Sequence, residues 1–432
     1  MTASEAGISP RLTEIPASQL SFQGGSLEVV VVNDFAHVNG GAAKVAVDSA
    51  LALVQRGHSV TFLAAVPPVA TELVQSAVRV VVTGQHDIKS DPSRVRAIVQ
   101  GIWNNNASGK LAQILSECDP SNTIVHVHGW SKALSSSVVH EAFLLNFSVV
   151  ITLHDYFYAC PNGGFFNFPK NQICSLRALS AACLLENCDR DGYPQKLWRV
   201  ARQVVQNEYG FGSNKVKHFI CLSGLSEAIL RPYLPENSKV YHVPNAVEFE
   251  KQEAVPVTNN VQFVSLGRLS PEKGLELLAR AAASMKAEVT FVGEGPERAN
   301  LEHIYEKACI TGWQPASEVQ KYLRKARALV QPSLWYEVQP VSVLEAAALG
   351  LPAIVPDTCA ARELVEDGVT GLWFHGGDVV DLKKKMSALQ DAGLASRLGR
   401  GAYERFWADP YTMERHVKSL ENCYRSVLQC RC

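Results

Sequence analysis

Six apolar runs in the first half of this chain have strand length and do not alternate: "LEVVVVN" (27–33), "SVTFLAA", "RVVVTG", "TIVHVHG", "SVVITLHD" and "HFICLS". A strand covered on one face alternates apolar with polar residues. One covered on both faces reads as a continuous apolar run, the mark of a parallel sheet between two helix layers. Helical stretches lie between the runs. Val47, Ala50, Leu51 and Val54 recur at helical spacing, and Gly57 stops that helix. The grammar restarts at "VQFVSLGR" (261–268) and continues through "AEVTFVGEG", "ARALVQPS" and "LPAIVPD". Residues 241–260 between the halves are polar and carry two prolines, the composition of a linker. The expected class is α/β, with two doubly wound Rossmann-like domains facing a cleft. Its parts are a flexible lead-in (1–26), a first domain (27–240), the linker, a second domain (261–408) and a final helical segment (409–432) with no strand after it. Ligands of such sheets sit beyond the carboxyl ends of the strands.

Composition narrows the function. A formal net charge of -1 over 432 residues gives no general attraction to nucleic acid. No run approaches the roughly 18 apolar residues of a spanning helix. The first twenty residues lack the basic head and apolar core of an export signal. Eleven cysteines then point to reduced thiols in a cytoplasmic setting rather than to a disulfide framework.

The strand-end loops carry the chemistry. "NDFAHVNGGAAKVAV" places Gly40 and Gly41 where a helix opens, so free backbone N–H groups can meet an anion. The segment is not G-x-G-x-x-G, and no acidic residue ends the following strand, which counts against a dinucleotide fingerprint. "SLGRLSPEKG" sets Arg268 and Lys273 on the loop after the first strand of the second half, two cations suited to a diphosphate. In "VGEGPER", Gly293 and Gly295 permit close backbone approach.

"SLWYEVQPVSVLEAAALGLP" (333–352) poses a sharper problem. The helix expected from Pro340 to Leu351 has almost no polar face, yet it carries Glu345, and Glu337 stands eight positions earlier on the entering loop. A buried carboxylate is costly unless something binds it. Two readings are open: a core arginine pairs with Glu345, or both carboxylates face the cleft and accept hydroxyl donors flanking a bound diphosphate. A nucleotide sugar supplies such hydroxyls on both sides.

These motifs together resemble the retaining nucleotide-sugar glycosyltransferases of family four, with the GT-B fold. The resemblance rests on "GRLSPEKG", "VGEGPE", the glutamate pair of "EVQPVSVLEAAALGLPAIVPD", "ELVEDGVTGLWF" (363–374) and "GGAAKVAVDSALALVQRGHSVTFL" (40–63). It implies a nucleotide diphosphate sugar donor, a saccharide or lipid-linked saccharide acceptor, retention of anomeric configuration and no catalytic metal. By the same resemblance Arg268 and Lys273 hold the diphosphate, Glu345 the ribose and Glu337 the transferred sugar. Gly312 and Trp313 would read the base, Gly40 and Gly41 would approach the phosphate, and His154 in "VITLHD" would lie near the donor sugar. Other GT-B chemistries, such as nucleotide-sugar epimerisation, and a non-catalytic sugar-nucleotide-binding subunit are the alternatives.

One stretch departs from the generic pattern, and a second carries a basic stripe. An insertion-like loop (155–190) carries Cys160, Cys174, Cys183 and Cys188, read either as a structural zinc site or as unrelated buried thiols. In "KLWRVAR", Lys196, Arg199 and Arg202 share one helix face with Trp198 beside them. That face reads as solvated, with peripheral contact at the inner face of a membrane as the alternative.

Overall fold

The computed structural model describes residues 25–212 and 215–430. The expected lead-in therefore lies almost wholly outside the described residues. Among the described residues, fifteen strands form two large sheets and one small hairpin. In the first half these are β1 (Glu28–Phe35), β2 (Ser59–Val66), β3 (Arg79–Val82), β4 (Thr123–Val127), β5 (Ser148–Thr152), the short β6 (Phe166–Asn167) and β7 (Gln172–Ile173), then β8 (His218–Cys221) and β9 (Lys239–His242). Those of the second half are β10 (Gln262–Leu266), β11 (Val289–Val292), β12 (Cys309–Ile310), β13 (Ala326–Val330), β14 (Ala353–Pro356) and β15 (Gly371–Phe374). The first sheet runs β3-β2-β1-β4-β5-β8-β9 and the second β12-β11-β10-β13-β14-β15. All pairings within both are parallel. These are two doubly wound α/β domains, the class expected from the sequence.

In each sheet the strand order reverses beside the domain's first strand, at β1/β4 and at β10/β13. Crevices open at such switch points, because consecutive crossovers leave on opposite faces. The continuous apolar runs explain the arrangement: Val29 to Val32 are fully buried, as are Phe263 and Val264 at the core of the second domain. The segment read as a linker begins inside the edge strand β9, where Tyr241 and His242 pair with Ile220 and Cys221. Its burial is only partial, so no apolar run announced it.

The last helix, Met413–Gln429, is capped by Thr412, whose hydroxyl accepts from the Arg415 amide at 3.2 Å. It returns to the first domain, where Val417, Leu420, Cys423, Tyr424 and Val427 join the core. A buried carboxylate locks it there. Glu421 accepts from Arg56 at 2.6 and 3.0 Å and contacts His58 Nε2 at 3.0 Å. Burial alone would raise the Glu421 pKa, but the bonds from Arg56 and His58 outweigh it and hold the carboxyl below its usual range. A depressed carboxylate pKa contributes stability above the unfolded value, and that contribution is lost as pH falls through the folded value. Glu421→Gln should therefore cost about 1–3 kcal/mol at neutral pH. Its melting temperature should approach that of the wild type in acid; equal melting temperatures at pH 7 would remove the lock.

Candidate functional site

The loops at the two switch points hold most of the residues singled out in the sequence. The loop after β10 turns at Gly267, whose φ of 126° is open to glycine. It exposes Arg268, which has no hydrogen bond or ion pair among the described residues. Gly293, after β11, lies against this turn: a Cβ there would collide with the Gly267 carbonyl. Gly293 also bridges Gly312, next to Trp313, which is 76% exposed. One corner of the cleft thus gathers Arg268, Gly293, Gly312 and Trp313.

Lys273 and Glu337 meet at a second corner. Gly274 has φ 63°, and a Cβ would strike the Pro332 carbonyl, so only glycine lets the Lys273 loop pack on the loop after β13. Lys273 Nζ then donates to Glu337 Oε1 at 2.7 Å. Ser333 Oγ donates to the same oxygen at 2.6 Å, and Gln331 Nε2 at 3.1 Å. The Lys273 ammonium also stands 5.5 Å from the centre of the Trp335 ring. Burial would raise the Glu337 pKa; the Lys273 charge and these bonds overcome it, so the carboxyl lies below its ordinary value and is ionised.

Glu345 is the contrast. Its helix is Val341–Ala348, shorter than expected, with Pro340 as the residue before the first turn. No arginine pairs with it, and no hydrogen bond or ion pair to it exists among the described residues. Burial raises its pKa, opposed only by Lys44 on the first turn of the facing helix Gly41–Gln55. That helix brings Gly40 and Gly41 to the same side of the cleft. Nothing lies within 4 Å of where a Cβ would stand at either glycine.

His154 follows β5 and enters a buried ladder. His154 Nε2 lies 3.0 Å from His128 Nδ1, His128 Nε2 lies 3.2 Å from His126 Nδ1, and His126 Nδ1 lies 2.7 Å from the Tyr424 hydroxyl. Burial first, then the other histidines, depress all three, His154 to about 3. They are neutral at physiological pH. No hydrogen bond links His154 to the second domain among the described residues. Sequence reasoning missed His126 and His128, although "HVH" sets both on one side of a strand by its period of two. It also missed Ser333, Gln331 and Trp335, which only the folded loop gathers around Glu337.

The cysteine loop and the basic face correct two expectations. Cys160, Cys183 and Cys188 are buried and Cys174 is half-buried. Among the described residues no three His, Cys, Asp or Glu side chains are arranged to hold a metal ion. Instead the Lys196 ammonium sits among these thiols, 3.0 Å from Cys188 Sγ and 3.5 Å from Cys183 Sγ. The KLWRVAR cations do not face solvent. Lys196 is fully buried, Arg202 donates to the Ser131 carbonyl at 2.8 Å, and Arg199 pairs with Asp189 and Asp191 at 3.2 Å. Their spacing does put them on one face, but the 155–190 loop and its surroundings cover it, so it offers no cationic membrane contact. No helix of the described residues is long and apolar enough to cross a membrane.

Comparison with known proteins gives this geometry its context. Residues 39–251 match the family described as Glycosyltransferase Family 4, and residues 247–405 the family described as Glycosyl transferases group 1. A GDP-mannose-dependent alpha-mannosyltransferase of Corynebacterium glutamicum is 32% identical over 123 residues, 28% of this chain and 29% of that protein. The alpha-D-kanosaminyltransferase of Streptomyces kanamyceticus is 26% identical over 176 residues, 38% of this chain and 45% of that one. These matches span less than half of either relative. Among solved structures, Anabaena HepE in complex with UDP aligns at a TM-score of 0.64 and 15% identity, covering 93% of this chain and all of that one.

The unpaired carboxylate makes a testable statement about the ligand-free protein. A carboxyl whose folded pKa is raised destabilises the fold when ionised, so stability should rise as pH falls through that value. Glu345→Gln should raise stability at pH 7 by roughly 1 kcal/mol, with the gain vanishing in acid. A melting temperature below wild type at pH 7 would show that Glu345 has a partner in the resting protein.

Proposed function

The chain belongs to the family-four, group 1 glycosyltransferases, and from that premise we propose that it moves a glycosyl group from a nucleotide diphosphate sugar to a saccharide or lipid-linked saccharide acceptor. The observation that carries this reading is a pair of contrasting carboxylates: Glu337 bound to Lys273, and Glu345, half-buried, without a hydrogen-bond or ion-pair partner among the described residues and under the charge of Lys44 from the facing helix. A carboxylate beside a diphosphate repels it, so the two carboxylates suit hydroxyls on either side. Glu345 receives the ribose diol, which repays its desolvation with two charge-assisted hydrogen bonds. Glu337, whose three protein donors all converge on Oε1, offers its other oxygen to the transferred sugar. Trp313 and the Gly312 backbone meet the base.

The demanding event is departure of the nucleoside diphosphate from an oxocarbenium-like carbon. Arg268, unpaired and exposed, and Lys273, which has donors beyond the one used by Glu337, stabilise the charge that develops on the leaving group. Gly40 and Gly41 add backbone N–H groups from the opposite domain. Cations so placed do the work of a metal at the leaving group. The acceptor attacks from the face the diphosphate leaves, a β-phosphate oxygen takes its proton, and configuration is retained. Neutral His154 serves as a hydrogen-bonding partner of the donor sugar and not as a cation.

A turnover assay across nucleotide diphosphate sugars, with chelator present and product configuration read by NMR, tests the proposal. Transfer with retention is expected. Release of free sugar alone, epimerised donor, or inverted product would contradict it. Arg268→Ala and Lys273→Ala should each lower kcat/KM by about two to four orders of magnitude. Glu345→Gln should weaken binding of the nucleoside diphosphate, whereas Glu337→Gln should spare it and impair use of the sugar-bearing donor. Calorimetry showing the reverse would exchange the two roles. Because His154 titrates near 3, kcat/KM should show no limb from this group between pH 5 and 8, and a limb abolished by His154→Gln would refute its neutrality.

A further inference from the structure

Lys196 is the most anomalous side chain outside the cleft. It is among the largest fully buried side chains, and no carboxylate pairs with it among the described residues. A lysine this buried ordinarily has a carboxylate in contact with it. Its polar neighbours are sulfurs: it donates to Cys188 Sγ at 3.0 Å and to Cys183 Sγ at 3.5 Å. Cys188 is itself held in place, since Asn162 Nδ2 donates to its sulfur at 3.4 Å and to its carbonyl at 3.3 Å. The nitrogen thus stands against two of the four thiols read as either a zinc site or unrelated buried thiols.

An amine and a thiol held 3.0 Å apart, with no carboxylate hydrogen-bonded to the nitrogen among the described residues, are placed for a reaction with each other. We propose that Lys196 and Cys188 form a covalent N–O–S cross-link under peroxide, reversible by thiols, with Cys183 as a second thiol within reach of the same nitrogen. The atoms balance as follows. One peroxide oxidises the Cys188 thiol to a sulfenic acid and releases water. The Lys196 ammonium gives up a proton to solvent, and a second peroxide oxidises the resulting amine to a hydroxylamine and releases water. Condensation of the hydroxylamine O–H with the sulfenic S–OH forms the O–S bond and expels a third water. Nitrogen and sulfur lose two electrons each, and the two peroxides accept them. Two equivalents of dithiol return the amine, the thiol and one water. The sulfur thus stays on the reversible rungs of its oxidation ladder.

The position gives the bond a consequence. Cys188 stands two residues before Arg190, whose Nη2 lies 2.6 Å from Glu272 Oε2, and Glu272 is the neighbour of Lys273. Lys196 belongs to the helix Tyr193–Val205 of the first domain. The cross-link would fasten the strand of chain that carries the Arg190 strut, and so brace one domain against the diphosphate loop of the other.

Intact-mass analysis of the full chain before and after dilute hydrogen peroxide decides the matter. The proposal expects a gain of one oxygen less two hydrogens, a mapped junction between the Lys196 and Cys188 peptides, and complete reversal by dithiothreitol. The adduct should be lost in Lys196→Met and in Cys188→Ser. Because either variant can misfold, the junction in the wild-type chain is the primary readout. Loss of two hydrogens alone, meaning a Cys183–Cys188 disulfide, would overturn the proposal. So would zinc bound stoichiometrically to the untreated protein, an oxygen adduct that persists in Lys196→Met, or no adduct.

Discussion

The charge pair between Lys273 and Glu337 is the contact on which the second domain's half of the cleft depends. It joins the loop after β10 to the loop after β13, the two strands flanking that domain's switch point. Its formation requires Gly274 in a left-handed conformation and a close approach to Pro332 that no side chain would allow. Once made, it fixes Trp335 beneath the ammonium and sets the start of the helix that carries Glu345. The pair also solves an electrostatic problem. Glu337 would be costly to bury alone, and the lysine that neutralises it keeps donors free for a ligand.

Glu345 shows the opposite arrangement, a carboxylate that no protein group pairs among the described residues. The apolar helix around it gives the sheet its cover, while its half-buried carboxylate has no protein hydrogen-bond partner among the described residues. Such strain concentrates at functional positions because binding relieves it. The two glutamates, eight residues apart, thus differ in their surroundings: one is held by three protein donors, and the other has no protein partner among the described residues.

Much of this was legible in the sequence. Continuous apolar runs such as Val29–Val32 fixed the parallel sheets, and the restart at Val261 separated the domains. The glycines and cations of the strand-end loops marked the cleft, because few other roles need those residue types there. What stayed hidden was set by tertiary contact. Strand β9 lacks a buried face and so looked like linker. The histidine ladder joins residues 298 positions apart through Tyr424, a separation that no local pattern reports. The basic stripe was read outward because spacing shows that residues share a face, not which way the face turns. The four cysteines left a zinc site and unrelated buried thiols both open, and nothing in their spacing foretold that Lys196 would stand beside two of them.

The central claim is that the cleft is built for a nucleoside diphosphate, with cations for the phosphates and an unpaired carboxylate for the ribose. Thermal denaturation of the wild-type chain with matched nucleoside monophosphates and diphosphates tests it most directly, since a ligand of the folded state stabilises by mass action. The account predicts that the diphosphate of at least one base raises the melting temperature in a concentration-dependent way without added metal, and that its monophosphate does so far less. Equal shifts from monophosphate and diphosphate, or no shift from any nucleoside diphosphate, would contradict it.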